Sequence, residues 1–243
     1  MEPLQAAGGT PLAAGLFTVA LALVHLFAGR LRLSAGRRRR WLSAAGGASV
    51  AYVFVLLLPE VSEAALLVGE RLGEAFLAEQ LVYLAALVGF VAFYGIEVTV
   101  AHRRGDVEIS TPVYWGHLLV FALYSALIGY LLFNQERPGF ASLFFYALAM
   151  ALHFAVTDHG LRRHHGAAFD RVGRWILAGS TVVGAIAGAV FEVSGLTVAI
   201  LYGFVVGAVV LNVLKEELPD LVDSRFVAFS LGAAAYSVVL LLV

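Results

Sequence analysis

Residues 46–60 read GGASVAYVFVLLLPE, and residues 206–220 read VGAVVLNVLKEELPD. The first is a continuous apolar run that closes on Leu-Pro and an acid; the second is apolar to Leu214 save for Asn212, and reaches the same close through Lys-Glu-Glu. Neither alternates apolar with polar residues, as a half-buried strand would. Unbroken apolarity of this length belongs to a helix whose solvent is lipid. The two stretches align at an offset of 160: Gly47 with Gly207, Leu58 with Leu218, Pro59 with Pro219 and Glu60 with Asp220.

Outward from these two stretches the same texture continues. Eight apolar segments approach the ~20 residues that cross ~30 Å of hydrocarbon as a helix: 11–29, 41–58, 80–101, 112–133, 139–157, 173–193, 196–214 and 225–243. Over all 243 residues the chain is 61% hydrophobic and 14% charged, where a soluble domain carries about 25% charged residues. Mean hydropathy is +0.89. The expected fold is therefore all-α, a polytopic membrane protein with eight transmembrane helices in one domain, residues 1–243, embedded in the lipid bilayer. The 16 basic and 17 acidic residues nearly cancel, which gives no net pull on nucleic acid. The absence of cysteine removes disulfides, thiolate metal sites and cysteine nucleophiles.

Orientation follows from the arginines. With the N-terminus outside, the inner loops hold Arg30, Arg32, Arg37, Arg38, Arg39, Arg40, Arg103, Arg104, Arg162, Arg163, Arg171, Arg174, Lys215 and Arg225, which is 14 of the 16 basic residues. Both termini are then outside, and the expected location is the plasma (cell inner) membrane. The first span has no basic start and reads as part of the bundle, not as a cleaved leader. The acidic loop 60–79 carries Leu66, Leu67, Gly69, Leu72 and Phe76 at roughly helical spacing, which predicts a short interfacial helix on the outer surface.

The two stretches quoted first lie five crossings apart and so run in opposite directions. Residues 1–105 and 173–243 then form an inverted-topology repeat around a central helix pair, 112–160. Transporters built this way hold substrate near the midplane at the repeat interface. A chance likeness between two apolar helices with similar ends is the alternative.

Several stretches together resemble the ZIP family of divalent-metal transporters. LLLPEVSEA (56–64) resembles the end of that family's second span, FVAFYGIEVTVAHRRG (90–105) its third, and VLKEELPD (213–220), with Glu216 at the acidic position, the end of its seventh. The resemblance implies eight spans in a 3+2+3 arrangement, both termini outside, and a homodimer contact through the third and eighth helices. It also implies that the first and the fourth to sixth helices move as a unit. The family's metal ligands lie on the fourth and fifth spans, as His-Asn-x-x-Asp-Gly and His-Glu-x-Pro-His/Glu-Glu. In the matching ALYSALIGYLL (122–132), Tyr124 stands for the His, Ser125 for the Asn and Ile128 for the acid; Gly129 alone matches. In ALHFAVTDHGL (151–161), His153 and Asp158 match, while Phe154, Val156 and Thr157 replace the rest.

The metal set implied by the resemblance is thus His153, Thr157 and Asp158 on one helix, with His117, Tyr124 and Ser125 as further pathway residues and Zn2+ or another divalent cation as substrate. A cation crossing a bilayer needs several carboxylate or imidazole ligands, and a hydroxyl is a poor zinc ligand. Three functions stay open: a metal transporter with a reduced site, a ZIP-fold interaction or regulatory protein without metal transport, and a transporter of another solute through an aromatic centre at Phe121, Tyr124 and Phe154. No Gly-x-Ser-x-Gly or His-Glu-x-x-His is present, so no enzyme is expected.

The remaining intramembrane polar residues have plainer readings. His25 is a packing hydrogen-bonder. Asp158, if not a ligand, sits at the inner interface beside Arg162. Glu97 reaches towards His102 and Arg103 at the inner surface. Glu192 is interfacial, and Asn212 and Glu216 bond to a neighbouring helix. His159, His164 and His165 stand in an arginine-rich inner loop, where the positive charge works against a metal site. His117 and Tyr124, seven apart, share one face of the fourth span.

Overall fold

The structure, a computed structural model, describes residues 9–27, 35–72, 79–102, 111–135, 139–217 and 225–241. Among these there is no strand. The helices are α1 (Gly9–Phe27), α2 (Ala35–Tyr52), α3 (Leu58–Leu72), α4 (Gln80–His102), α5 (Thr111–Leu131), α6 (Phe140–Ala168), α7 (Arg174–Val190), α8 (Gly195–Asn212) and α9 (Phe226–Leu241). A helix satisfies its own backbone polar groups, which lipid cannot do. Among the described residues, six stretches are long and apolar enough to cross a membrane: Arg39–Glu70, Gln80–Thr99, Tyr114–Leu131, Phe140–Arg162, His165–Val190 and Gly195–Lys215. Pro11–Phe27 and Phe226–Leu241 are shorter apolar helices. The chain is a membrane protein with transmembrane helices.

Two segments differ from the sequence reading. The helix expected on the outer surface continues the second span: α2 and α3 run as one rod through a π turn at Val53–Leu57. Val61, Ala64, Ala65 and Val68 of α3 are buried, and α3 packs against α4 and α8. The fifth span does not end at residue 157 but continues as α6 to Ala168. Two residues before that end Gly166 kinks it, with φ +51° and ψ −124°, a conformation that glycine adopts without a Cβ clash. A second π turn, Phe169–Gly173, leads into α7. Arg162 Nη2 lies 2.8 Å from Asp170 Oδ2 and staples this break. The Tyr114 hydroxyl donates to the Ala168 carbonyl at 3.1 Å.

Close helix crossings hold the bundle together, and glycine makes them. A Cβ on Gly47 of α2 would strike the Phe229 carbonyl of α9, and one on Gly232 of α9 would strike the Ala44 carbonyl of α2. In the α4–α8 pair, Gly207 meets the Ala86 carbonyl and Gly89 the Phe204 carbonyl in the same manner. In the α5–α7 pair, Gly129 meets the Thr181 carbonyl and Gly184 the Ala126 carbonyl. Small residues let backbones approach where lipid supplies no hydrophobic drive. Helix α1 packs against α6 and α7.

The first two crossings correspond residue by residue. Gly47 and Gly207 differ by 160, as do Ala44 and Phe204; Gly89 and Gly232 differ by 143, as do Ala86 and Phe229. A third π turn, Val213–Glu217, stands 160 positions after Val53–Leu57. The residue before each of these two turns, Tyr52 and Asn212, is buried with side-chain polar atoms that have no hydrogen-bond partner.

Candidate functional site

Near the middle of α6, His153 and Thr157 are one turn apart and share a face. The Tyr124 hydroxyl of α5 is 3.0 Å from His153 Nε2, and Thr157 Oγ1 is 3.4 Å from the same nitrogen. All three side chains are buried, as is Ser125 beside Tyr124. Phe93 of α4 stands edge-on to Tyr124 with ring centres 5.1 Å apart, and Phe121 closes the space on the side of His117.

Asp158 follows one residue later and serves a different partner. His25 Nδ1, on α1, lies 3.0 Å and 2.9 Å from its two carboxylate oxygens. Both side chains are about 2% exposed or less. This corrects the reading of Asp158 as a neighbour of Arg162, which pairs with Asp170 instead. With Nδ1–H donated to the carboxylate, the lone pair of His25 lies on Nε2, which is buried and has no hydrogen-bond partner. The Phe154 ring is 4.1 Å from the His25 ring and 6.2 Å from the His153 ring, between centres.

His117 does not reach His153. It lies two turns nearer the arginine-rich end, with Nδ1 2.9 Å from His165 Nε2 and Nε2 3.4 Å from Glu97 Oε1. Lys215 Nζ donates to the other oxygen of Glu97. Glu97 therefore turns into the bundle towards α5 and α8, not out to the surface; the side chains of His102 and Arg103 lie outside the described residues, as does that of Glu216. His165 is on helix α6, not in a solvated loop. The side chain of His164 lies outside the described residues. Glu192 is exposed.

The cluster of Glu97, His117, His165 and Lys215 ties four helical segments together at one end. Lys215→Met is expected to lower stability by about 1–2 kcal/mol, because Glu97 loses a charge-assisted donor while remaining largely buried. Thermal unfolding of the purified variant checks this. A midpoint equal to wild type would mean that the pair contributes no more than an exposed ion pair.

Sequence reasoning named Tyr124, Ser125, His153, Thr157 and Asp158 but missed His25 as the partner of Asp158. The usable signal was the cost of a polar group in lipid, which requires a partner for each. Among the described residues, no group of three or more His, Asp or Glu side chains is assembled that could hold a metal ion. The arrangement offers two imidazoles and one carboxylate, plus two hydroxyls, drawn from α1, α5 and α6. No family model matches the chain, and no curated protein matches it.

Proposed function

We propose that the chain is a ZIP-like membrane transporter that moves a divalent cation such as zinc through the centre of its bundle. The observation that carries this reading is the buried set Tyr124, His153, Thr157, Asp158 and His25, linked across three helices where a lipid-solvated bundle would otherwise be apolar. Ionisable groups at such depth are costly and mark pathways. Imidazole nitrogen and carboxylate oxygen are the ligand types zinc takes from a cysteine-free chain. The carboxylate on His25 Nδ1 is the partner that orients a metal-binding imidazole and directs its Nε2 lone pair to the ion. His25 accordingly joins His153 as a candidate ligand, and Asp158 acts through it.

The fixed offsets between the α2–α9 and α4–α8 crossings support an inverted repeat of residues 1–105 and 173–243 about the pair 112–160. Arg39, Arg40, Arg162 and Lys215 share one end of the bundle, which supports that end as the inner one. A second reading has its own support. Asp158 spends both oxygens on His25, and Tyr124 and Thr157 converge on one nitrogen of His153, so the centre satisfies much of its own polarity. A ZIP-fold protein that has lost metal transport would look like this.

Zinc and cadmium flux into proteoliposomes separates the two. Wild type is expected to give saturable uptake of at least one ion, and His153→Ala is expected to fall to the level of empty vesicles. Wild-type flux equal to that of empty vesicles, from protein that elutes as a folded species, removes the metal reading.

A further inference from the structure

We infer that the arginine-rich end of α7 holds the headgroup of an anionic phospholipid, gripped by Arg171 and Arg174 beside Trp175. This site lies on the outside of the bundle and does not rest on the central pathway.

Residues 170–175 read DRVGRW, across the second π turn and into α7. The two arginines are three apart and the tryptophan is four from the first, so all three gather on one side of the helix. Arg171 and Trp175 are exposed, and Arg174 is partly buried. Arg174 Nη1 is 3.5 Å from the carbonyl of Leu26, in the last turn of α1, where helix carbonyls lack partners of their own. The Arg174 guanidinium carbon lies 5.6 Å from the centre of the Trp175 ring, close enough for a cation–π attraction. These two contacts fix the guanidinium and leave one edge of it over. Arg174 Nε is buried and has no hydrogen-bond partner. Nε and Nη2 point their N–H bonds side by side, away from Nη1. That edge can give a phosphate two parallel hydrogen bonds, and it is the edge α1 does not use.

The charges nearby favour an anion. Asp170, the acid nearest in sequence, is 2.8 Å from Arg162 and so is engaged. Residues 28–34, which follow α1 in the chain, read AGRLRLS and bring two further arginines and no acid. The surroundings favour a lipid over a free anion. Trp175, Val183, Ile186 and Val190 are each more than half exposed, and they carry one apolar face along α7 away from the arginines. A tryptophan ring sits at the level of lipid headgroups, and acyl chains lie along the face beyond it. A free phosphate would gain nothing from that face.

The test is quenching of Trp175 fluorescence by brominated lipid, without zinc. The full chain carrying Trp41→Phe and Trp115→Phe keeps Trp175 as its one tryptophan. It is placed in phosphatidylcholine vesicles that hold a minor share of dibrominated phosphatidylglycerol or, for comparison, of dibrominated phosphatidylcholine. Phosphatidylglycerol is expected to reach Trp175 about tenfold more effectively, and Arg171→Gln and Arg174→Gln are each expected to remove about fivefold of that preference. Arg40→Gln, an exposed arginine on α2, is expected to change it less than about twofold. Arg171→Gln alters an exposed side chain, so it decides the matter even if Arg174→Gln does not fold. Equal quenching by the two lipids in the single-tryptophan parent overturns the assignment, as does an undiminished preference in Arg171→Gln. Inorganic phosphate in excess over the lipid is expected to leave the preference in place, relative to chloride at equal ionic strength. Loss of the preference to phosphate overturns the lipid assignment in favour of a free-anion site. Because zinc is absent, failure here leaves the metal reading standing, and failure of zinc flux leaves this site standing.

Discussion

Gly207→Val is expected to leave little folded protein, or to lower the thermal midpoint by roughly 10 °C. The added Cβ would strike the Ala86 carbonyl. That neighbour is backbone and cannot swing away as a flexible side chain would, so α4 and α8 must separate along their length. Overpacking a core costs about 1–3 kcal/mol where side chains can yield, and a rigid neighbour puts this case at the top of the range or above it. About 3 kcal/mol corresponds to roughly 10 °C in a chain of this size. Gly47→Val should behave alike, since it meets the Phe229 carbonyl of α9 in the corresponding way. Gly95→Val is the control: Gly95 lies in α4 with nothing within 4 Å of where its Cβ would be. Size exclusion after graded heating reads all three. If Gly207→Val and Gly95→Val unfold together, the close crossing is not what holds α4 to α8.

Asp158→Ala is expected to cost about 3 kcal/mol, and a second change at its partner is expected to restore most of that. Removing one member of a buried pair strands the other, which typically costs 3–5 kcal/mol, whereas replacing both with apolar groups of similar size is often neutral. Without Asp158, both ring nitrogens of His25 would be buried without a partner in a site faced by Phe154. The His25→Leu/Asp158→Leu variant should therefore be more stable than Asp158→Ala. The coupling between the two positions should reach about 1–3 kcal/mol in a double-mutant cycle. Zinc flux divides structure from function: the double variant should be folded and silent. Additive effects on stability would mean that the pair is not coupled, and a flux-competent double variant would remove His25 and Asp158 from the pathway.

Much of the fold is legible because lipid simplifies the problem. A run such as VAYVFVLLL has one stable form in hydrocarbon, and arginines mark one end of each helix pair. The offset of 160 between residues 46–60 and 206–220 is legible as a likeness of letters. Its counterpart of 143 between Ala86 and Phe229 is not, because those two residues share no side-chain chemistry; their backbone carbonyls make the contact. The extension of α6 to Ala168 is hidden for a different reason. His159, Arg162, Arg163 and His165 are polar enough to end a span but not to end a helix, and Ala167, Ala168, Leu161 and the arginines favour one. The π turns carry no local signature.

The candidate site divides in the same way. Tyr124 opposite His153 can be anticipated, since the two face each other on neighbouring antiparallel spans. The pairing of His25 with Asp158 cannot, because 133 positions and the path of four helices, α2 to α5, separate them. Glu97 shows how proximity in sequence misleads. His102 and Arg103 are near it along the chain, yet Lys215, 118 positions away, holds its carboxylate. A buried carboxylate takes the donor that costs least to bring to it, and in a bundle that donor comes from the adjoining helix.

The two π turns at Val53–Leu57 and Val213–Glu217 have a consequence for ancestry. A π turn holds one residue more than the α-helix it interrupts, which is what a single inserted codon would leave. Two independent insertions would have no reason to fall at matching points. If residues 46–60 and 206–220 descend from one gene, the extra codon was already there when that gene was doubled, and both copies have kept it since. A one-codon deletion in either turn would then be a reversion to the older, straighter helix. In Val53–Leu57 it would swing Glu60 and Glu63 about a third of a turn away from the place they now occupy.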